Sequence, residues 1–244
     1  MKKHLTRFLL VAALTVSFLT PTCLAKDAAA NALKRQERYT VSLELEFSKK
    51  SPNALDRVLT FLDWGANGYA TGFVVGDGLI MTAYHVVSGD LSGYKKMALG
   101  FTTDDLLEVR VHANGCNAKV MKVDKDADLA LLEVRCTLKE STAPAFQLSV
   151  NKNDKLLLIA RPHGDSIVRK GTIMGPYSMN GLQFWSANLS ARDGFSGSPV
   201  YNEKAELVGV MSGYDPLKKL ALISPGFRAQ KLLADYNPNP KPVK

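Results

Sequence analysis

The chain is built from short runs of valine, isoleucine and leucine that are separated by glycine, aspartate, asparagine and proline. The first run alternates apolar and polar residues from Val41 to Phe47, which is the pattern of a strand with one buried face. Many short strands divided by turn residues predict an all-β barrel or sandwich. The predicted strands cover residues 39–47, 69–76, 106–112, 155–162, 166–175, 183–189, 206–213 and 219–225.

Helix is predicted at only three places along the chain. These are the basic, alanine-rich segment at about 28–37, a short turn after Thr82, and the segment 227–236, where apolar side chains can share one face. The tail at 237–244 is polar and proline-rich, and we expect it to be flexible. The stretch at 136–144 is the best candidate for a connection between two halves of the protein.

The first 25 residues have the pattern of a secretory signal peptide. Three basic residues precede an apolar core at 8–19, and Ala25 supplies a small residue for cleavage. This core has 12 residues, whereas a membrane-spanning helix needs about 20. We therefore expect an exported protein, periplasmic or secreted, without membrane association after signal cleavage. A lipid anchor on Cys23 is the alternative.

The chain is moderately basic. The formal net charge is +8, and three of the basic residues belong to the signal segment without an acidic one, so the mature chain would carry +5. The other lysines and arginines are scattered along the sequence. This distribution is typical of a solvated surface, so we do not expect a nucleic-acid partner. The sequence leaves the oligomeric state open.

Two cysteines, Cys116 and Cys136, would remain after signal cleavage. They flank two predicted strands, 117–124 and 129–135, which would pair as a hairpin and bring the two sulfur atoms opposite each other. In an exported protein this pattern predicts one disulfide bond, with two free buried thiols as the alternative. A zinc site would need further ligands at close spacing, so we expect neither a metal nor a cofactor.

The stretch DGFSGSPVYN at 193–202 contains Ser196 between two glycines. Taken alone it predicts a tight turn, because glycine, serine, aspartate and proline gather in turns for backbone reasons. Two other stretches change this interpretation. His85 follows a predicted strand in MTAYHVVSG, and Asp128 stands at the start of the apolar strand in DADLALLEV.

Serine, histidine and carboxylate side chains together can carry out acyl transfer. The serine hydroxyl attacks, the imidazole takes its proton, and the carboxylate orients the imidazole. The chain order here is His85, Asp128, Ser196. It differs from the Ser-Asp-His order of α/β-hydrolases and from the Asp-His-Ser order of subtilisins. The stretch also lacks the last glycine of the G-x-S-x-G motif of lipases, since Ser198 stands there.

These stretches resemble the trypsin-like (chymotrypsin-fold) serine peptidases, most closely the bacterial HtrA-type and glutamyl endopeptidase-type branch. The resemblance rests on TGFVVGDGLIMTAYHVV, DADLALLEV, ARPHGDSIVRKGTIMG and DGFSGSPVYNEKAELVGVMSG. It implies an all-β protein of two six-stranded antiparallel β-barrels, at 39–136 and 145–236, with a short C-terminal helix in the second unit. A basic segment at 26–38 would precede them, and the active site would lie in the cleft between the barrels.

The resemblance also implies roles for individual residues. His85 would be the general base, Asp128 its orienting carboxylate, and Ser196 the nucleophile. The N–H groups of Gly194 and Ser196 would form the oxyanion hole, where a residue without Cβ allows close approach of the backbone. Ser212 would border the carboxylate and begin the strand that pairs with the substrate.

The substrate-binding positions implied by the resemblance are Ser190, Met211, Ser212 and Gly213. Ser190 stands where trypsin has an acidic residue, so a preference for lysine or arginine is not expected. Met211 replaces the histidine of glutamyl endopeptidases, which argues against glutamate specificity and favours an apolar or small pocket.

Phe195, directly before the nucleophile, departs from the family pattern. The pancreatic enzymes have an aspartate there, which pairs with a newly cut N-terminus. Phe195 cannot make that pair, so activation of this kind is not expected. The sequence leaves open what holds the oxyanion hole in shape.

From these residues we expect a serine endopeptidase that acts on proteins or peptides through an acyl-enzyme on Ser196. Two alternatives use the same fold. One is a catalytically retired or chaperone-like module that binds peptides, and the other is an esterase that uses the same triad. A PDZ domain of the HtrA type is not expected, because few residues follow Pro225.

Overall fold

The computed structural model of the chain describes residues 21–52, 67–136 and 144–236. Its strands form two closed six-stranded barrels in which neighbouring strands are antiparallel. The prediction of an all-β protein with two six-stranded barrels is therefore confirmed. Most of the predicted signal peptide, most of the predicted connection at 136–144 and the tail at 237–244 lie outside the described residues.

The first barrel follows the alternating pattern of the sequence. The apolar residues of its first strand, from Val41 to Phe47, are buried, while Glu44 between them is exposed. Around the barrel the strands are ordered β1-β2-β3-β6-β5-β4. They are β1 (Thr40–Lys49), β2 (Gly68–Gly76), β3 (Leu79–Ala83), β4 (Leu107–Ala113), β5 (Cys116–Asp124) and β6 (Leu129–Val134).

The second barrel is formed by the C-terminal half of the chain, in the order β10-β11-β12-β9-β8-β7. One of its strands is missing from the predicted set, because it has only three residues and directly follows the glycine-rich turn at 194–197. The strands are β7 (Lys155–Ala160), β8 (Ile167–Met179), β9 (Leu182–Ala187), β10 (Pro199–Tyr201), β11 (Leu207–Asp215) and β12 (Leu220–Pro225).

The described helices are α1 (Pro21–Tyr39), α2 (His85–Ser88), α3 (Gly93–Ala98) and α4 (Gly226–Ala234). The predicted C-terminal helix is confirmed as α4. The described part of α1 begins at Pro21, so this helix extends further towards the N-terminus than the predicted segment at about 28–37. Helix α3 was not predicted, and it is a six-residue helix that buries no residue. Within the described ranges, no helix is long and apolar enough to cross a membrane.

A buried apolar cluster joins the two barrels, and we call it the seam cluster. Residues 73–131 contribute Phe73, Val75, Met81, Ala127, Leu129 and Leu131, and residues 159–232 contribute Ile159, Tyr201, Leu207, Val210, Ala229 and Leu232. Leu33 of α1 packs against it. The hydroxyl of Tyr201 donates to Oε1 of Gln36 at 3.3 Å, and complete burial raises the pKa of this tyrosine. The seam cluster thus connects both barrels, α1 and α4.

A disulfide bond joins Cys116 and Cys136, as predicted. The two cysteines lie at the same end of the β5–β6 hairpin, where Ala118 pairs with Val134. In an antiparallel hairpin, moving two residues back along one strand and two residues forward along the other leads to the next pair on the same face. From Ala118 and Val134 this pair is Cys116 and Cys136. The bridge therefore closes the open end of this hairpin.

Candidate active site

His85, Asp128 and Ser196 lie together at the junction of the two barrels. His85 begins α2 directly after β3, Asp128 precedes β6, and Ser196 lies in the loop between β9 and β10. Nε2 of His85 is 2.8 Å from Oγ of Ser196, and Nδ1 is 2.8 Å from Oδ2 of Asp128. The imidazole therefore bridges a hydroxyl and a carboxylate that are 68 residues apart in the sequence.

The carboxylate of Asp128 is held by three hydrogen-bond donors. Its Oδ1 accepts the backbone N–H of His85 at 2.8 Å, and its Oδ2 accepts both the imidazole and the hydroxyl of Ser212. Its backbone has a φ of 52°, a conformation that aspartate tolerates better than most residues. Since an ionised carboxylate only accepts, the proton of a neutral His85 belongs on Nδ1, and Nε2 is free to accept from Ser196.

The three side chains differ in exposure. The side chain of Asp128 is only 10% exposed, while that of His85 is 41% exposed. Ser196 is half-buried. The carboxylate is thus sheltered from water, and the imidazole edge next to the hydroxyl is open to a bound molecule.

A tight turn formed by residues 192–195 precedes the serine, and we call it the oxyanion turn. The N–H of Phe195 donates to the carbonyl of Arg192 at 3.1 Å, and Gly194 has a φ of 85°. A hydrogen bond from the fourth residue to the first, with positive φ at the third, is the signature of a type II turn. A Cβ on Gly194 would collide with Pro162, so only glycine fits there.

Two backbone donors lie on either side of Phe195. In the described part of the chain, the N–H groups of Gly194 and Ser196 donate to no acceptor. Backbone N–H groups at partly buried positions are rarely left without an acceptor. Two such groups next to a serine hydroxyl form a site that can accept a negatively charged oxygen.

Phe195 anchors the oxyanion turn in the core of the second barrel. The residue is 1% exposed and belongs to a cluster that includes Leu158, Val200 and Met211. The guanidinium groups of Arg169 and Arg192 lie 6.0 Å and 5.7 Å from the centroid of its ring, within the range of cation–π attraction. Apolar burial and two cations therefore hold the residue for which the sequence suggested no partner.

The four predicted substrate-binding residues have different surroundings. Ser190 is exposed, while Met211 is only 2% exposed and packs in the same cluster as Phe195. The loop between β9 and β10 carries Ser196, and we call it the serine loop. The backbone of Met211 supports this loop, because its N–H donates to Ser198 O at 2.8 Å and its carbonyl accepts from Gly197 N at 2.7 Å. The other two residues, Ser212 and Gly213, are the next residues along β11.

In the described part of the chain, one edge of β11 has no strand partner beyond Val210. β10 pairs with β11 only as far as Val210, and within the described residues only β12 pairs with the strand from Gly213 to Asp215. A Cβ on Gly213 would meet no atom within 4 Å, so the space beside it is open. Such an edge can take up an added strand.

Thr71, a site residue that the sequence did not predict, contacts the serine loop from the first barrel. Its N–H donates to Ser196 O at 2.9 Å, and its hydroxyl donates to Gly194 O at 2.8 Å. Thr71 lies in a plain strand pattern, and its partners are more than 120 residues away in the sequence. No local signal distinguishes it from an ordinary β-strand threonine.

Comparisons with known proteins agree with this fold. A family model described as a trypsin-like peptidase domain matches residues 70–210. The active form of the Rv3671c protease from M. tuberculosis is similar, with a TM-score of 0.60 and 17% identity over 92% of this chain and 90% of that chain. An inactive-form serine-to-alanine mutant of Rv3671c gives a TM-score of 0.57 and 16% identity over 92% and 97%. No curated protein matches at comparable significance.

Proposed function

Because the chain belongs to the family of trypsin-like peptidase domains, we propose that it is an exported serine endopeptidase. The observation that carries this proposal is the pair of 2.8 Å contacts made by the His85 ring, one to Ser196 and one to Asp128. The substrate is a protein or peptide. Ser196 is the nucleophile, His85 the general base and Asp128 the group that orients the base.

Acylation begins with attack of Ser196 Oγ on the carbonyl carbon of a peptide bond. As the new C–O bond forms, the hydroxyl proton moves to Nε2 of His85, and the carbonyl oxygen becomes an oxyanion. The unpaired N–H groups of Gly194 and Ser196 can donate to this oxyanion. When the C–N bond breaks, His85 returns the proton to the leaving amine, and the ester of Ser196 remains.

Deacylation repeats the same proton transfers with water. Water attacks the ester carbonyl and gives a proton to Nε2 of His85, and the C–O bond to Ser196 then breaks. The serine oxygen recovers the proton from the imidazolium, and the acid product leaves. During acylation and deacylation Asp128 stays ionised and stabilises the positively charged ring of His85. Its carboxylate is held in place for this role by three hydrogen-bond donors and is only 10% exposed.

The open edge of β11 supports a peptide substrate over a simple ester. A peptide in extended conformation can pair with the backbone at Ser212 and Gly213, next to the triad. Met211 is buried among apolar side chains, so we propose that the residue preceding the cleaved bond is small or apolar. The described disulfide supports export, because such bonds persist in oxidising compartments.

The test is covalent labelling of the mature protein with a fluorophosphonate probe, followed by mass mapping of the labelled peptide. Ser196→Ala removes the nucleophile. Ser198→Ala is the matched control, because it changes a serine two positions away whose buried hydroxyl has no partner among the described residues. We expect label on the wild type and the control at Ser196, and none on Ser196→Ala.

A peptide-library digest then separates the possible activities. Cleavage of peptides by the labelled enzyme supports the endopeptidase. Labelling at Ser196 with hydrolysis of esters but of no peptide would favour an esterase. An unlabelled Ser196 would rule out both enzymes and leave the peptide-binding module.

A further inference from the structure

Thr71 connects the first barrel to both sides of the oxyanion turn. It lies in β2 and is completely buried. Its hydroxyl donates to Gly194 O at 2.8 Å and accepts from the N–H of Arg161 at 3.0 Å, while its own N–H donates to Ser196 O at 2.9 Å. A single residue therefore holds the carbonyl groups before and after Phe195.

These two bonds hold the peptide units that adjoin those carrying the oxyanion donors. A peptide unit is planar, so a fixed carbonyl fixes the orientation of the whole unit. The peptide between Phe195 and Ser196 carries one donor, the N–H of Ser196, and it lies between the two units whose carbonyls are held. The peptide before Gly194 carries the other donor, the N–H of Gly194, and it is followed directly by the unit of the held Gly194 carbonyl. The Ser196 donor is therefore anchored on both sides by held peptide units, and the Gly194 donor on its C-terminal side.

The serine loop also packs directly on Thr71. A Cβ on Gly197 would collide with Thr71 O and with Oγ1 of Thr82. Thr82, in β3, itself donates to Thr71 O at 2.8 Å. The position of the loop is thus fixed by atoms of the first barrel, which also carries His85 and Asp128.

We propose that Thr71 is a positioning residue whose hydroxyl sets the oxyanion donors of the second barrel against the base of the first. This inference rests on the proposed peptidase function of Ser196. It assigns to Thr71 no contact with the substrate. Its effect acts through Gly194 and Ser196, the two residues of the serine loop to whose carbonyls it donates.

The test compares three variants of the full mature chain. Thr71→Val keeps the shape and removes the hydroxyl, and Thr71→Ser keeps the hydroxyl. Thr40→Val is the matched control, because Thr40 is a buried threonine of β1 whose hydroxyl also donates to a backbone carbonyl, that of Gln36 at 3.0 Å. If Thr71→Val does not fold, Thr71→Ala, which lacks the same hydroxyl, is used in its place.

Two readouts are measured well below the unfolding temperature. Fluorophosphonate labelling of Ser196 is expected to slow about 10- to 100-fold in Thr71→Val, since a displacement of about 1 Å can cost 10²-fold. Thr71→Ser is expected to stay within about threefold of the wild type. Backbone hydrogen exchange over residues 192–198 is expected to quicken in Thr71→Val and not in Thr40→Val, with α4 unchanged in both.

Wild-type labelling and wild-type exchange in Thr71→Val would overturn the proposal. An equal slowing of labelling in Thr40→Val would also overturn it, because the loss would then reflect stability in general. If the wild type itself is not labelled, the peptidase function fails, and hydrogen exchange alone still decides whether Thr71 positions the turn.

Discussion

The guanidinium of Arg192 lies 5.7 Å from the centroid of the Phe195 ring, so the first residue of the oxyanion turn contacts the side chain of the last. In the pancreatic enzymes an ion pair to a new N-terminus stabilises this region. Here the stabilising contacts are an aromatic ring buried in the second barrel and the two arginines above it. The oxyanion turn therefore has a support that needs no cleaved chain end.

Replacing Phe195 by leucine tests this support. The variant keeps most of the apolar burial but removes the ring face that attracts Arg169 and Arg192. We expect fluorophosphonate labelling of Ser196 to slow about tenfold, because even a small displacement of the donors reduces the rate. Phe184→Leu is the control, since Phe184 is buried in β9 and has no cation over its ring in the described part of the chain. Similar slowing in both variants would contradict the role of the cations.

The hydroxyl of Ser212 donates to Oδ2 of Asp128, so its removal is expected to weaken the orientation of the base. Asp128→Asn should lower kcat about 10⁴-fold, because the imidazole then takes the wrong tautomer. Ser212→Ala should cost about tenfold, which corresponds to the loss of one hydrogen bond to a charged group of about 1.5 kcal/mol. Steady-state hydrolysis of a cleaved peptide measures both. A Ser212→Thr variant that fails to recover the rate would point to packing instead of hydrogen bonding.

The disulfide between Cys116 and Cys136 closes a separation of 20 residues. The double variant Cys116→Ala, Cys136→Ala should lower the free energy of unfolding by about 3 kcal/mol, as expected for a loop of this size. Urea unfolding of the wild type with and without a reductant provides the same comparison. Free thiols at both positions in non-reducing peptide mapping would show that the bond does not form.

Asp215 should make the stability of the second barrel depend on pH. The hydroxyl of Tyr177 donates to its carboxylate at 2.6 Å and, together with the N–H groups of Lys218 and Leu217, lowers the pKa of Asp215 below 3.8. A lowered pKa means that the carboxylate stabilises the fold above the ordinary value and loses this effect as the pH falls through the lowered one. Asp215→Asn should therefore lower Tm at pH 7, and the difference should shrink towards pH 2. A constant difference in Tm across this range would exclude the carboxylate charge as the cause.

The sequence was sufficient for features whose signals are local or ordered along the chain. Alternation from Val41 to Phe47 predicted a buried strand face, and the paired strands after Cys116 predicted the disulfide. The order of His85, Asp128 and Ser196 predicted a constellation that the fold brings together. Each of these inferences uses either a period or a residue type with few alternative roles.

The remaining features depend on contacts between distant parts of the chain. Thr71 is an unremarkable strand threonine until the second barrel places Gly194 on its hydroxyl. Phe195 lies in a stretch of turn residues, and its burial depends on how β10 and β11 enclose the loop. The type II geometry of the oxyanion turn likewise follows from these supports, since the local sequence is compatible with several turns.

The seam cluster, which includes residues of both barrels and of α4, has a consequence for the order in which the proposed active site forms during synthesis. His85 and Asp128 are made together with the first barrel, while Ser196 and the apolar residues of α4 are made after it. A growing chain that has completed only the first barrel holds a base and a carboxylate without a nucleophile. The proposed activity therefore cannot appear before the ribosome has made Ser196 and the strands of the second barrel that hold it.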